Sequence, residues 1–164
     1  VTHDQTEALT FADEVIVMYE GEIVQVGTPE ALFEKPEHTF VGYFIGSPGM
    51  NIMPCELKGN IAMVEGNEVI LNSTYAAQGV GSKIEMGIRP EYLSLNTPDQ
   101  PGLPVSILKV DDVGRHNVVR VALKERELNV VTSKVEGMTG DKASLQMDID
   151  HTNIYVNDHL VTGE

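Results

Sequence analysis

The residue best placed to do chemistry is His3, which lies in the opening run VTHDQTEA of residues 1–8. This run follows a predicted strand end and precedes a predicted helix N-terminus, which is where parallel α/β folds place phosphate chemistry. A single histidine at such a junction is also common as an ordinary polar residue beside a helix cap. Position alone therefore leaves two interpretations of His3 open, a phosphate contact and a capping-region side chain.

Five side chains near the C-terminus are of types that bind metal ions, namely Asp148, Asp150, His151, Asp158 and His159. Asp148 and Asp150 alternate onto one face of a predicted solvated strand and nothing fixes a fourth ligand, so we predict no metal site. The glycine-rich run 79–83 lacks the spacing of a phosphate loop, and we predict a turn there. The sequence holds no GxSxG elbow, and a self-contained enzyme is not predicted.

Composition limits the possible partners. The chain has 25 acidic and 11 basic residues and a net charge of −14, which repels phosphate backbones and argues against nucleic acid as a partner. Apolar residues make up 41%, with nine aromatics and no Trp, so we expect a core of Val, Ile, Leu and Met. Cys55 is the single cysteine, which excludes an internal disulfide and indicates a reducing compartment.

The longest uncharged stretch, 39–55, is interrupted by glycine and proline and is shorter than the ~20 apolar residues of a spanning helix. No membrane segment is therefore predicted. The chain opens on Val1 instead of Met, at the predicted strand end. We expect this start to be a cut within a longer protein.

The composition changes near residue 46, and we predict a domain boundary there, with 1–46 and 47–164 as the two parts. The first part alternates helix and strand signals. Capping residues and proline predict helices over about 4–12 and from Thr28 to Pro36. An apolar stripe that ends at Gly46 and Pro48 predicts a third helix from His38 or Thr39 to Ile45, and two strand-like runs around Glu20-Gly21 predict a hairpin of 14–19 and 22–26. The second part consists of short β-rich runs, predicted as strands near 52–58, 61–65, 68–72, 83–88, 92–95, 104–112, 116–124, 127–132, 143–149 and 153–156. These runs predict a small closed or nearly closed antiparallel β unit.

Three segments carry a resemblance to a known family: VTHDQTEALTFADEVIVMYEGEIVQVGTPEALFEKP, then FVGYFIGSPGMN at 40–51, then GIRPE at 87–91. The first resembles the end of the nucleotide-binding domain of an ABC transporter ATPase, beginning at the switch-histidine motif. The other two are similar to the maltose and glycerol-phosphate importer ATPases, which append an OB-like regulatory (TOBE) domain. The resemblance implies a mainly β chain: an OB-like antiparallel barrel preceded by a small α/β remnant of the nucleotide-binding domain.

The resemblance also implies roles for named residues. His3 matches the switch histidine, which contacts the γ-phosphate of ATP and helps to position the attacking water. ATP and Mg are implied for the full-length protein only, because the phosphate loop, signature and Walker B motifs lie upstream in the family and are not in this chain. For Gly87, Arg89, Pro90 and Glu91 of GIRPE, a structural ion pair or turn anchor and a signalling role are both open.

The family's assemblies imply a homodimer or paired ATPase subunit, inner-membrane permease subunits, a solute-binding protein and a possible cytoplasmic regulatory protein. The location implied is peripheral, on the cytoplasmic face of the bacterial inner membrane. Without the rest of the nucleotide-binding domain, residues 1–46 are expected to be poorly ordered, rearranged or packed against another copy.

Two other functions are weighed against this one. A stand-alone OB-like module for small oxyanions would need bases or clustered backbone N–H groups, yet the chain after residue 44 has sixteen acids and ten bases. Oligonucleotide binding would need exposed aromatics on a basic groove, and only Tyr75, Tyr92 and Tyr155 follow Phe44.

Overall fold

The computed structural model describes residues 1–76, 78–133 and 141–164. Its first part is a hairpin with three short helices, in the order α1 Gln5–Phe11, β1 Val15–Tyr19, β2 Glu22–Gly27, α2 Pro29–Glu34 and α3 Thr39–Phe44. A small apolar core joins these elements, made of Val17, Leu32, Val41 and Ile45. The predicted helices and hairpin are confirmed to within one or two residues. We call this part, residues 1–46, the helical unit.

Each helix begins at a polar side chain that caps its free N–H groups. Asp4 accepts from the backbone N–H of Thr6 and Glu7, and Thr28 accepts from Ala31. The third cap, His38, is less usual, because its ring nitrogen Nδ1 accepts from the N–H of Phe40 at 3.0 Å. These bonds explain why short helices form where they do, since each satisfies a donor that the helix itself cannot pair.

The remainder is antiparallel β structure, which we call the β domain. Its strands are β3 Asn51–Pro54, β4 Glu56–Val64, β5 Asn67–Tyr75, β6 Ile84–Ile88, β7 Leu93–Asn96, β8 Leu103–Asp112, β9 Asn117–Leu123, β10 Arg126–Thr132, β11 Lys142–Met147, β12 Thr152–Val156 and β13 His159–Val161. They form a five-stranded sheet in the order β10-β9-β8-β11-β7, a four-stranded sheet in the order β13-β12-β6-β3, and the hairpin β4-β5. Two single 3-10 turns precede β7 and β12, at Pro90–Tyr92 and Ile149–His151.

One aliphatic core lies between the sheets of the β domain. Every strand from β3 to β12 contributes to it, and its fully buried members are Met, Ala, Val, Leu and Ile side chains. Aromatic side chains touch this core only from its partly buried margin, among the residues that the structure describes. The predicted mainly β fold and aliphatic core are both confirmed.

The strands differ from the prediction in several places. Strand β5 runs three residues further than predicted, to Tyr75, and β11 ends at Met147, so Asp148 and Asp150 lie at a 3-10 turn and not on one face of a strand.

The predicted strand 52–58 is divided at Cys55, whose N–H donates to the carbonyl of Ile84 before the chain turns away to pair β4 with β5. Strand β13 was not predicted, because three residues are too few for a periodic signal. Its turn, Asn157–Asp158, has two positive φ angles of 50° and 72°, which suits the Asn-Asp pair in a tight hairpin.

None of the helices in the described ranges has the length and apolar character needed to cross a membrane.

Candidate functional site

His3 lies on the rim of an open groove in the helical unit. The groove has a volume of about 750 Å³ and is lined by residues of the opening run, α1, the hairpin and α3. The turn before α1 is held by Thr2, whose hydroxyl accepts from the Asp4 N–H at 3.0 Å and donates to Glu7 at 2.8 Å. The imidazole of His3 is exposed and forms no hydrogen bond within the described chain. It is therefore free to bond a group that arrives from outside.

The face around this groove is apolar and open to solvent. Its exposed side chains include Ile16, Met18, Ile23 and Phe44, of which Met18 is 60% exposed. Contiguous apolar surface of this kind marks an interaction site on a folded protein. Each such side chain stabilises a contact by roughly 1.5–3 kcal/mol when it becomes buried.

Arg89 of the GIRPE run has a different environment, because its guanidinium is buried between the helical unit and the β domain. The residue is 3% exposed. Its Nε donates to the Phe33 carbonyl at 2.7 Å, and Nη2 donates to Leu32 at 3.4 Å. Its Nη1 donates to the carbonyls of Gly42, at 3.2 Å, and of Ile45. The guanidinium carbon also lies 4.0 Å from the centre of the Phe33 ring.

These acceptors are the carbonyls at the C-terminal ends of α2 and α3. Such carbonyls have no partner within their own helix and carry the negative end of the helix dipole. Burial lowers the pKa of Arg89, and nearby Glu91, Tyr155 and Glu34 act in the opposite direction. A guanidinium stays protonated in proteins, so a full positive charge is held here by backbone oxygens.

The other GIRPE residues shape this position. A Cβ on Gly87 would lie 2.8 Å from both Met50 Cε and the Tyr155 ring, so glycine permits the close packing there. Pro90 is buried and opens the 3-10 turn, whose first bond runs from Tyr92 N–H to Arg89 O at 3.0 Å. Glu91 is exposed, and the ion pairs found among the described residues do not join it to Arg89. The geometry of Arg89 is that of an anchor between two parts of the chain.

Several other bonds cross between the helical unit and the β domain, and sequence reasoning missed them. Tyr155 donates its buried hydroxyl to the Pro36 carbonyl at 2.8 Å, and burial raises its pKa. Tyr92 donates to the carboxylate of Glu34, and burial followed by that bond raises its pKa to about 12. Both tyrosines are among the few aromatics of the β domain, which is the one signal that marked them in the sequence.

A second set of crossing bonds surrounds His38. Thr39 N–H donates to the Asp158 carbonyl at 2.9 Å, and Lys83 Nζ lies 2.5 Å from the Asp158 carboxylate. The rings of His38 and His159 meet edge to face, with centroids 5.0 Å apart. Burial first and His159 second lower the pKa of His38, with Asp158 opposing them and Lys83 adding to them.

The metal-compatible residues of the C-terminus separate into two places. His151 pairs with Asp148 at 2.9 Å, whereas Asp158 and His159 lie beside Lys83 and His38. Within the described chain, no group of three His, Cys, Asp or Glu side chains is arranged to hold a metal ion.

The structure combines an antiparallel β domain with a helical unit that is fastened to it through Arg89 of GIRPE. Comparison with known proteins identifies this β domain as one of the OB type. Residues 46–93 match the family model described as the MalK OB fold domain.

The chain is 38% identical to the sn-glycerol-3-phosphate import ATP-binding protein UgpC of Bordetella avium, over 92% of this chain and 43% of that protein. It is 38% identical to the protein of the same name from Escherichia coli, over 100% of this chain and 45% of that protein. An uncharacterized ABC transporter ATP-binding protein of Sinorhizobium fredii is 35% identical over 87% of this chain and 38% of its own length. The chain thus spans less than half the length of these relatives, and its resemblance to the C-terminal part of sugar-importer ATP-binding proteins is confirmed.

Proposed function

We propose that this chain is the C-terminal regulatory and dimerising region of the ATP-binding subunit of an ABC importer for carbohydrate-type solutes. The relatives' names favour glycerol phosphate within that class. The observation that carries the proposal is the open apolar groove with His3 on its rim. Such a face is what a helical unit presents when its natural partner is the remainder of a nucleotide-binding domain.

His3 is the group of this chain that would meet the nucleotide. Its ring is exposed and free of internal hydrogen bonds, so it fits a contact to the γ-phosphate of ATP bound by the upstream part of the intact protein. ATP and Mg supply the phosphoryl group and the charge compensation of that reaction. The sequence lacks the phosphate loop, and the chain alone is expected neither to bind nor to hydrolyse ATP.

The β domain provides the regulatory part of the proposal. In the intact protein it would pair with the β domain of a second ATP-binding subunit and present a surface to a cytoplasmic regulatory protein. The complete assembly would include permease subunits and lie on the cytoplasmic face of the bacterial inner membrane. The net charge of −14 agrees with a protein that does not bind nucleic acid.

The test is a chimera in which this chain replaces the matching part of the Escherichia coli relative, to which it aligns along its whole length. The chimera is expected to hydrolyse ATP and to restore glycerol-3-phosphate uptake in cells that lack their own protein. A charged hydrogen bond is worth about 1.5–3 kcal/mol, so His3→Ala should slow hydrolysis by roughly 10–150-fold.

His116→Ala is the matched control, because His116 lies on the β8–β9 connection away from the groove. It should hydrolyse ATP at the rate of the unmodified chimera. A chimera whose rate is unaffected by His3→Ala, or an isolated chain that binds ATP, would contradict the proposal. Binding of an oxyanion such as molybdate by the isolated chain would favour the small-ligand module instead.

A further inference from the structure

The helical unit and the β domain are joined around one buried cation that has no carboxylate partner in the described chain. The charge of Arg89 is met by four carbonyl oxygens, two from the end of α2 and two from the end of α3. Surface ion pairs elsewhere tolerate changes of side-chain geometry at little cost. A planar fork that bonds both helix ends at once fixes their relative position, because its donors diverge at set angles.

The base of the Arg89 side chain is held as firmly as its tip. Arg89 follows β6, which lies between β12 and β3 inside the four-stranded sheet. It precedes the 3-10 turn in which its own carbonyl accepts from Tyr92. The side chain therefore connects a rigid sheet to two helix ends without a flexible segment between them.

The link extends to the groove through Gly46. The N–H of Gly46 donates to the side chain of Gln5 in α1 at 2.8 Å. A Cβ on Gly46 would lie 2.8 Å from Arg89 Nη1, and its φ of +110° is one that other residues rarely adopt. Gly46 thus lies between the Arg89 guanidinium and Gln5, which is two residues beyond His3.

We propose that Arg89 is a positioning residue that makes the β domain follow the ends of α2 and α3, so that the two parts of the chain move as one body. A shift of either helix end displaces the fork, and the fork displaces β6. Relative motion is the default for two units joined within one chain. The other crossing bonds, from Tyr155, Tyr92 and Asp158, each hold one helix end only. Arg89, in contrast, holds the ends of both α2 and α3. The coupling is a property of this chain alone, and only its use in ATP-driven transport rests on the proposed function.

The test measures the distance between the two parts directly. Spin labels are placed at Glu22 in β2 and Glu125 in the β9–β10 turn, both exposed, in a Cys55→Ala background. Double electron–electron resonance should give one narrow distance distribution. Arg89→Met keeps an apolar stem without donors, and Arg89→Lys keeps the charge without the fork. Both should broaden the distribution at least about two-fold while the circular dichroism of the β domain is retained.

Arg120→Met is the matched control, because Arg120 is an exposed arginine of β9 that lies 3.9 Å from Glu127. Its distribution should equal that of the parent. Should Arg89→Met fail to fold, Arg89→Lys decides the question.

The parent width in a folded Arg89→Lys chain would overturn the proposal. So would loss of β structure in both variants, because a positioning residue leaves the β domain folded. These distances require neither ATP nor a transporter. The proposal on Arg89 can therefore be refuted while the chimera hydrolyses ATP, and it can be supported while the chimera does not.

Discussion

Acidification is expected to weaken the joint between the two parts of the chain, because the N-cap of α3 is a histidine that caps only when neutral. Nδ1 of His38 accepts the Phe40 N–H at 3.0 Å. A protonated imidazole has donors only, so the cap bond is lost when His38 gains a proton. Burial and the facing His159 ring lower the pKa of His38, so we expect the folded chain to favour the neutral form.

The sign follows from the difference between folded and unfolded chains. The unfolded chain takes up the His38 proton near its ordinary pKa of 6.5, whereas the folded chain resists it to lower pH. The free energy of unfolding is therefore undiminished above about pH 6.5 and falls as pH drops toward the folded pKa. Asp158 and Lys83, which lie near His38, are hydrogen-bonded to each other. This bond lowers the pKa of Asp158 and raises that of Lys83, so both keep their charge across this pH range.

The cap sets the size of the effect that a substitution should have. Removal of an N-cap costs about 1 kcal/mol, within a range of roughly 0.5–2 kcal/mol. In a chain of this length that corresponds to about 2–4 °C in melting temperature. His38→Ala loses the cap at every pH, whereas His38→Asn supplies a carbonyl oxygen that caps without titrating.

Urea unfolding at about pH 7.5 and about pH 5.5, followed by far-ultraviolet circular dichroism, separates these cases. The parent should lose stability between the two values. His38→Ala should have a smaller free energy of unfolding than the parent at pH 7.5. In both His38→Ala and His38→Asn, the part of the pH-dependent loss of stability that comes from His38 should be absent. His116→Ala should show the same loss of stability between the two pH values as the parent. All variants retain His159, so the differences between them report on His38. A His38→Asn chain that keeps the full pH dependence of the parent would refute the reasoning.

Gly49→Ala should cost about 1–3 kcal/mol, because its Cβ would overlap the backbone carbonyl of Tyr43, which cannot turn aside as a side chain can. Thermal unfolding beside Gly79→Ala checks this, because a Cβ there meets only Ser82 Oγ, at 3.7 Å, among the described residues; equal losses would contradict it. Burial, and then Glu85, raises the pKa of Cys55 to about 11. The folded chain should therefore carry about 100-fold less thiolate than the chain in urea. Because a thiolate of higher pKa is the stronger nucleophile, its reaction with a disulfide reagent should be slower by about 10-fold. Equal rates would show the thiol to be accessible. Limited proteolysis should cut within 1–46 before the β domain, because the helical unit leaves an apolar face unpaired. A proven monomer that resists cleavage throughout 1–46 would be evidence against this.

The local elements of this chain could be predicted because their signals are local. Asp4 and Thr28 lie within three residues of the N–H groups that they cap. The Glu20–Gly21 turn has φ angles of 50° and 84°, which two-residue hairpins require. The third helix was predicted from its apolar stripe and from Gly46 and Pro48 at its end, and its cap, the ring nitrogen of His38, was not predicted.

The partners of the GIRPE residues could not be predicted in the same way. Arg89 bonds to carbonyls that lie 44 to 57 positions earlier in the chain. Every residue has a carbonyl, so no side-chain type at Leu32, Phe33, Gly42 or Ile45 identifies the acceptor. The sequence suggested an ion pair with Glu91 as one option because opposite charges two positions apart are visible in it, whereas backbone acceptors are not.

A joint made through backbone atoms can still be recognised in the sequence, because close approach of the chain requires glycine at certain positions. Gly42, Gly46 and Gly87 are the positions where a Cβ would meet Met50, Arg89 or Tyr155 at less than ordinary contact distance. The fork of Arg89 depends on where the helix ends lie and not on which side chains they carry. Substitutions that preserve the backbone of α2 and α3 should therefore leave the joint intact, whereas a single added methyl group at one of these glycines should disturb it.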